Sequence, residues 1–143
     1  MDTLLSRARA VIPCKILIID DDTDDVEILS DVFKTTGVDA VHHVNTAMEA
    51  FVYLEGVNNK AELPKLIVTD MYLRGITGAE FLKDLKGMER YKNIHVIVLS
   101  SHKRENEIQK ARQLGVLDYV VKPSTYSEYV AVAQNIKRKA GIE

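Results

Sequence analysis

Five short apolar runs recur along the chain, and each is bounded by turn-forming or charged residues. These runs are rich in Val, Ile and Leu, and most of them lack the strict alternation expected of a strand with one solvent-facing side. Such runs are typical of strands that are buried on both faces of a parallel sheet. The predicted strands are Lys15–Ile19, Val38–Val44, Leu66–Val68, His95–Leu99 and Val116–Val121.

After each of these runs, apolar residues recur at the three- and four-residue spacing of an amphipathic helix. Capping boxes at Thr46–Glu49 and Thr77–Glu80, and a further Thr125–Glu128 pair, predict where three of the helices begin. Gly37 and Gly115 predict where the first and fourth helices end, and the fourth helix is expected to extend from about His102 to Leu114. The predicted inner faces are Val26, Leu29, Val32 and Phe33; Ala47, Ala50, Phe51 and Leu54; Phe81, Leu82 and Leu85; Ile108, Ala111 and Leu114; and Tyr129, Val130, Ala133 and Ile136.

The order of these elements is a strand followed by a helix, repeated along the whole chain. Alternation of strands and helices of this size predicts a parallel sheet with helices on both faces. Right-handed crossovers leave few arrangements, and five strands favour the order 2-1-3-4-5. We therefore predict an α/β fold with a doubly wound five-stranded parallel sheet.

Composition limits the classes of function. The chain has 143 residues and a formal net charge of -2, so it lacks the basic surface typical of nucleic-acid binders, and we expect no nucleic-acid partner. The single cysteine, Cys14, cannot form an internal disulfide, which favours a reducing, cytoplasmic location. No apolar run is long enough to span a membrane, so no membrane association is expected. We expect an N-terminal extension at 1–13 and one domain at 14–143.

Charged and hydroxyl side chains follow four of the five predicted strands. Because the carboxyl ends of parallel strands meet at one edge of a sheet, where ligands bind, we expect these side chains to converge. The second strand has no charged residue at its end, as expected of an edge strand that lies away from the site. The converging residues are Asp20, Asp21 and Asp22 after the first strand, Asp70 after the third, Ser100 after the fourth and Lys122 after the fifth.

The predicted cluster has the chemistry of phosphoryl transfer to an aspartate. Neighbouring carboxylates raise one another's pKa, so a divalent cation and a lysine are needed to balance their charge. Oxygen ligands without a Cys or His cluster favour Mg²⁺ over Zn²⁺. An aspartate can attack phosphorus to give an aspartyl phosphate, and the metal and Lys122 would neutralise charge on the phosphoryl oxygens. Ser100 could donate a hydrogen bond to one of these oxygens.

The chain resembles the receiver domains of response regulators in two-component signalling. Four blocks carry the resemblance in order, and they extend over about residues 15–136: Ile18–Asp22, Asp70 with Gly78 eight residues later, Leu99–Ser101 and Tyr119–Pro123. The resemblance implies a flavodoxin-like fold and a phosphoprotein that accepts a phosphoryl group from a histidine kinase or phosphotransfer protein. It also implies an unidentified downstream protein target, and no enzymatic activity beyond the protein's own phosphorylation and dephosphorylation.

The resemblance further implies a role for each matching residue in the response to phosphorylation. Asp70 is expected to be the phosphoacceptor, Lys122 to pair with the phosphoryl group and Ser100 to move toward it. Tyr119 is expected to follow Ser100 and to change the surface formed by the fourth helix, the fifth strand and the fifth helix. A homodimer through this surface is a further expectation.

A magnesium site and a set of residues that control hydrolysis are also implied. Mg²⁺ is expected on Asp21, Asp70 and the backbone carbonyl of Tyr72, with Asp20 contributing through water. Side chains near this loop can control the access of water to an acyl phosphate. The residues expected to tune hydrolysis are Tyr72, Ser101 and His102.

The sequence departs from the family pattern at two places. The Met-Pro pair usual after the phosphoacceptor strand is Leu73-Arg74, which affects the loop near the metal. The aromatic residue usual after the Lys-Pro pair is Ser124, which lies toward the output surface. Neither departure removes a reacting group, and because the chain ends soon after the fifth helix we expect a stand-alone receiver.

Three other functions are considered. A receiver-like interaction module that works without phosphorylation would not need the acids, the serine and the lysine that this chain retains. A flavin-binding protein of the same topology needs a phosphate cradle after the first strand, where this chain is acidic. A phosphohydrolase of the haloacid dehalogenase type would have a threonine at the position of Asp24.

Overall fold

The computed structural model describes residues 11–142, and this part of the chain forms strands and helices in strict alternation. The strands are β1 (Ile16–Ile19), β2 (Val41–Val44), β3 (Leu66–Thr69), β4 (His95–Ser100) and β5 (Asp118–Val121). The helices are α1 (Thr23–Thr35), α2 (Ala47–Glu55), α3 (Gly78–Lys86), α4 (Glu105–Gln113) and α5 (Tyr126–Ala140), with a short 3-10 helix at Lys60–Glu62 before β3.

All five strands are parallel, and their order in the sheet is β2-β1-β3-β4-β5. The predicted fold and strand order are therefore confirmed. In register, Ile19 of β1 lies beside Val44 of β2 and Thr69 of β3. The three central strands are buried along almost their whole length, which explains their continuous apolar sequence.

Alternate residues of the central strands point into two separate apolar layers. One layer packs the strands against α2 and α3, and the other packs them against α1 and α5. The first layer includes Leu17, Ile19, Ile67 and Val96 with Ala50, Leu54, Phe81 and Leu82, and the second includes Ile16, Ile18, Val68 and Leu99 with Leu29, Phe33, Ala133 and Ile136. A smaller cluster joins α4 to the sheet through Ala111 and Val98.

The helix starts agree with the predicted caps, with one difference of detail. Thr46, Thr77 and Thr125 each accept a hydrogen bond from the backbone N–H three residues on. Only Thr77 forms a complete capping box, in which the Glu80 side chain also accepts from the Thr77 N–H. At the start of α2 the Glu49 carboxylate accepts from the Asn45 N–H instead.

Three elements begin two or three residues later than the sequence predicts: β2 begins at Val41 rather than Val38, β5 at Asp118 rather than Val116, and α4 at Glu105 rather than His102. In both strands, the preceding residues close the helix before them. The Val38 N–H donates to Phe33 O at 2.8 Å, and the Val116 N–H donates to Ala111 O at 3.1 Å. The glycine before each of these residues has a positive φ angle, which allows the chain to turn back onto the helix end.

The inner faces of the helices differ from the predicted ones at a few positions. On α2, Tyr53 is buried and Phe51 is half-buried. The predicted inner face of this helix included Phe51 but not Tyr53. The Tyr53 hydroxyl donates to Ile12 O at 2.6 Å, so residues 11–13 are attached to α2. The rest of the predicted N-terminal extension lies outside the described residues. Within residues 11–142, no helix is both long enough and apolar enough to cross a membrane.

Candidate functional site

The strand pairing brings several of the predicted site residues to one edge of the sheet. Because Ile19 and Thr69 are paired, Asp20 and Asp70 follow them side by side, and the Asp70 N–H donates to Ile19 O at 3.1 Å. β4 and β5 extend the same edge, where the Lys122 N–H donates to Ser100 O at 2.7 Å. The carboxyl ends of four strands thus meet where the sequence predicts a site.

The ammonium group of Lys122 lies at the centre of this edge. Its Nζ atom is 3.0 Å from Asp20 Oδ2, 3.0 Å from Asp70 Oδ2 and 2.7 Å from Asp25 Oδ2. Only 8% of the Lys122 side chain is exposed, and the Asp20 and Asp70 side chains are 9% and 14% exposed. Two carboxylates with little solvent access and a third that is 27% exposed therefore share one cation.

The charge of this cluster changes the acidity of its members. Burial by itself would lower the pKa of Lys122, but the hydrogen bonds to Asp25 and Asp20 and the charge of Asp70 outweigh it and raise that pKa well above its ordinary value. Lys122 is consequently a permanent cation. Burial raises the pKa of Asp20, although the Asp22 N–H and Lys122 both oppose this by donating hydrogen bonds to its carboxylate.

The loop after β3 holds Asp70 in place through its own backbone. The Tyr72 N–H donates to Asp70 Oδ1 at 3.2 Å, and Tyr72 and Thr77 form an isolated antiparallel bridge that closes the loop. Gly78 then passes so close that a Cβ atom at this position would lie 2.5 Å from Asp70 O. The glycine eight residues after the aspartate is therefore required by the close approach of two backbone segments.

Ser100 and Tyr119 are connected through His102. Ser100 is fully buried at the end of β4, and its hydroxyl accepts a hydrogen bond from the His102 N–H at 3.3 Å. The hydroxyl of Tyr119, on β5, donates to His102 O at 2.9 Å. The residue after Ser100, Ser101, is exposed. The predicted pair of Ser100 and Tyr119 is thus joined through the backbone of a third residue.

Asp21 lies at the outer margin of the site. Its side chain is 42% exposed, and its carboxylate is 3.9 Å from the guanidinium of Arg74, a residue of the loop after β3. Arg74 belongs to the Leu73-Arg74 pair that departs from the family pattern. This departure places a second cation, in addition to Lys122, near the carboxylates.

The donor atoms at this edge suit a magnesium ion. Within residues 11–142, no three His, Cys, Asp or Glu side chains are gathered into a metal cage. The donors at this edge are oxygen atoms: the carboxylates of Asp20 and Asp70, with that of Asp21 at the outer margin. Mg²⁺ needs only one or two carboxylates because it retains several of its water ligands. The set therefore fits Mg²⁺ better than a metal that requires a closed protein cage.

The structure adds residues to the site that sequence reasoning missed. Asp25 lies in the first turn of α1 and makes the shortest contact to Lys122. In the sequence, Asp25 is an acid one helical turn after Asp21. It does not directly follow a strand, so a search for polar residues at strand ends does not find it. Arg104, directly before α4, and Glu107 of α4 both contact the Tyr72 hydroxyl, and the hydrogen bond from this hydroxyl to Glu107 raises the pKa of Tyr72.

A comparison with known protein families gives a match to the response regulator receiver domain over residues 16–134. The chain belongs to this family. Receiver domains are signalling modules of two-component response regulators rather than conventional enzymes, and they interact with histidine kinases or phosphotransfer proteins. The resemblance found from the sequence blocks is therefore confirmed.

Individual relatives agree with this assignment. Sporulation initiation phosphotransferase F of Bacillus subtilis is 30% identical over 114 residues, covering 80% of this chain and 86% of that protein. Chemotaxis protein CheY of Pseudomonas aeruginosa is 30% identical over 111 residues, covering 78% and 86%. Larger relatives also match: the chain spans 6% of the hybrid signal transduction histidine kinase D of Dictyostelium discoideum and 16% of the response regulator-like protein PRR37 of rice.

A solved structure supports the same fold. The crystal structure of the phosphorylated cyanobacterial phytochrome response regulator RcpA superposes on this receiver domain with a TM-score of 0.77. The two sequences are 28% identical, and the match covers 89% of this chain and 93% of that one.

We expect Gly78→Ala to destabilise the loop that carries Asp70, because the new methyl group would lie 2.5 Å from the Asp70 carbonyl oxygen and 3.0 Å from the Met71 Cα, both closer than van der Waals contact. The free energy of unfolding should fall by about 1–3 kcal/mol, the usual cost of overpacking. Urea unfolding monitored by circular dichroism measures this. Gly87→Ala is the matched control, because a Cβ there would meet its nearest atoms at 3.5 Å. Equal stability of the two variants would contradict the close-approach explanation.

Proposed function

We propose that this receiver domain is a phosphoacceptor in a two-component phosphorelay and that Asp70 carries the phosphoryl group. The observation that supports this most is the 3.0 Å contact between Lys122 Nζ and Asp70 Oδ2 at the carboxyl edge of the sheet. A partly buried carboxylate beside a lysine ammonium can act as a nucleophile while its partner balances the charge of the incoming phosphoryl group. The donor is the phosphohistidine of a histidine kinase or phosphotransfer protein.

In the transfer step, a carboxylate oxygen of Asp70 attacks phosphorus in line with the phosphorus–nitrogen bond of the phosphohistidine. That bond breaks, its electron pair stays on the imidazole nitrogen, and a proton from the solvent neutralises the leaving group. Asp70 becomes a mixed anhydride. Most of the catalysis of such transfers comes from positioning and from neutralising the charge on the equatorial oxygens. Lys122 supplies part of that charge, and the Ser100 hydroxyl can donate to a phosphoryl oxygen once it is released from its contact with His102.

Magnesium is the cofactor that the donor set suits. Asp21, Asp70 and the backbone carbonyl of Tyr72 would hold it directly, and Asp20 would act through a bound water molecule. When bound, the ion supplies additional positive charge for the phosphoryl oxygens. Arg74, which lies beside Asp21, would have to release that carboxylate for direct coordination.

The signal would leave the site through Ser100 and Tyr119. Phosphorylation changes the charge at Asp70, and a movement of Ser100 toward the phosphoryl group would alter the His102 backbone to which Tyr119 is bonded. This would change the surface of α4, β5 and α5, which we propose to bind a downstream protein or a second receiver. Tyr72, Ser101 and His102 lie on the loops next to the site and would tune hydrolysis.

The proposal predicts one phosphoryl group per molecule when the protein is incubated with acetyl phosphate and Mg²⁺. Intact-mass spectrometry should show a single adduct on the wild type and none on Asp70→Asn, which keeps the shape of the side chain but loses the nucleophile. Replacing Mg²⁺ with EDTA should also prevent the adduct. A wild type that gains no phosphoryl group would favour the alternative, a receiver-like module that works without phosphorylation.

The contact between Asp25 and Lys122 predicts that Asp25 slows phosphorylation. Its carboxylate competes for the Lys122 ammonium and repels the anionic donor, so Asp25→Asn should raise the initial rate of phosphoryl incorporation by about threefold to tenfold, the effect of about 1 kcal/mol between unit charges about 4 Å apart at the dielectric constant of water. The increase should shrink at high salt.

Asp24→Asn is the control for this experiment. Asp24 lies in the same first turn of α1 and is exposed, so it shares the effects of the helix terminus and of net charge. An Asp25→Asn rate no higher than that of Asp24→Asn would show that the contact with Lys122 has no part in the reaction.

A further inference from the structure

The side chain of Tyr72 extends from the phosphoacceptor loop to helix α4. Its hydroxyl donates to Glu107 Oε2 at 2.6 Å and accepts from Arg104 Nη1 at 2.7 Å. The Arg104 guanidinium also lies 5.7 Å from the centre of the Tyr72 ring. One hydroxyl group is thus held by an acid of α4 and by the basic residue directly before that helix, and both contacts are charge-assisted hydrogen bonds, which are stronger than neutral ones.

The Tyr72 ring lies against His102, which follows the fourth strand. The two ring centres are 5.8 Å apart in an edge-to-face arrangement. The Tyr72 N–H donates to Asp70, and the His102 N–H donates to Ser100, so each ring belongs to a residue that contacts one of the two functional side chains. The paired rings therefore connect the two loops on either side of the site.

Arg104 and Glu107 are placed to act together on Tyr72. Glu107 lies in the first turn of α4, and Arg104 is the residue with extended backbone directly before that helix. Glu107 is partly buried, and its Oε1 atom has no hydrogen-bond partner among residues 11–142. Its other carboxylate oxygen, Oε2, accepts the hydrogen bond from Tyr72. Neither residue forms a hydrogen bond or ion pair with the side chains of Asp70, Ser100 or Lys122. Their influence on the site must pass through the Tyr72 ring.

We propose that Arg104 and Glu107 are positioning residues that hold the Tyr72 ring beside His102 and thereby set the lifetime of the aspartyl phosphate. The inference rests on the proposed function and assigns to α4 a part in the hydrolysis of the phosphoryl group. Tyr72 acts as a barrier to water only while its hydroxyl is held, because an unrestrained tyrosine on an exposed loop can rotate away from the site.

The step affected is hydrolysis of the mixed anhydride. The oxygen atom of a water molecule attacks phosphorus, the bond from phosphorus to the Asp70 carboxylate oxygen breaks, and its electron pair returns to the carboxylate. Both protons of the water leave with the product, dihydrogen phosphate, so the charge is balanced without another reactant. The attacking water must approach phosphorus on the side opposite the Asp70 oxygen, through the open side of the loops that carry Tyr72 and His102.

The test compares the phosphoryl lifetimes of full-length variants after removal of acetyl phosphate, with Mg²⁺ present and intact mass as the readout. Tyr72→Phe and Glu107→Ala should each shorten the lifetime by about twofold to tenfold, the range expected for the loss of one hydrogen bond. The double variant should be no shorter-lived than either single one, because both changes remove the same contact. Glu107→Gln retains an acceptor oxygen and should restore most of the lifetime.

Glu105→Ala is the matched control, since Glu105 is an exposed acid in the same turn of α4 that has no recorded contact with Tyr72. It should leave the lifetime unchanged. A second readout needs neither metal nor phosphate. In urea unfolding with EDTA, the changes in the free energy of unfolding caused by Tyr72→Phe and Glu107→Ala should not add in the double variant, whereas two independent surface changes would add.

The possible results separate the two proposals. A wild type that takes no phosphoryl group overturns both the phosphoacceptor function and this inference. If the wild type is phosphorylated but Tyr72→Phe and Glu107→Ala both have the wild-type phosphoryl lifetime, the positioning role alone is overturned. The positioning role would also be overturned if the fold reduction in lifetime of the double variant were the product of the two single reductions, because the two side chains would then act separately.

Discussion

The ammonium group of Lys122 is surrounded by the carboxylates of Asp20, Asp25 and Asp70, and the arrangement of the whole site depends on this balance of charge. Without the lysine, acids with little solvent access would face one another and could not all remain ionised. Without the acids, burial would lower the pKa of the lysine and weaken it as a cation. The cluster still carries an excess of negative charge, which is why it suits a divalent ion as well as a lysine.

The parallel sheet makes this cluster from residues that are far apart in the chain. β1, β3 and β5 each end beside the site, so side chains about a hundred residues apart come within hydrogen-bond distance. Buried strands hold the backbone rigidly, and the close passage of Gly78 past Asp70 fixes the loop between β3 and α3. The freedom that remains lies in the connecting loops, where Ser100, His102 and Tyr72 link the site to α4 and β5.

The sequence was sufficient to predict the fold and the meeting of Asp20, Asp70 and Lys122, because buried strands have a continuous apolar pattern and a polar residue directly after one stands out. Asp22, expected in the same cluster, instead caps α1, where its side chain accepts from the Asp25 N–H. The sequence was not sufficient to predict Asp25, whose contact with Lys122 depends on how α1 packs on the sheet. The contacts of Arg104 and Glu107 with Tyr72 were missed for the same reason: they join a loop to a helix that follows a different strand. The start of α4 was also wrong, because His102 contacts the site instead of extending the helix.

Identification of the modified residue tests the central claim most directly. Treating the phosphorylated protein with borohydride reduces an aspartyl phosphate to homoserine and leaves free carboxylates unchanged, and peptide mass spectrometry then locates the homoserine. We expect it at position 70 alone. Asp20 and Asp25 also contact Lys122, so homoserine at either of those positions would show that the lysine serves a different nucleophile and would contradict the site as we describe it.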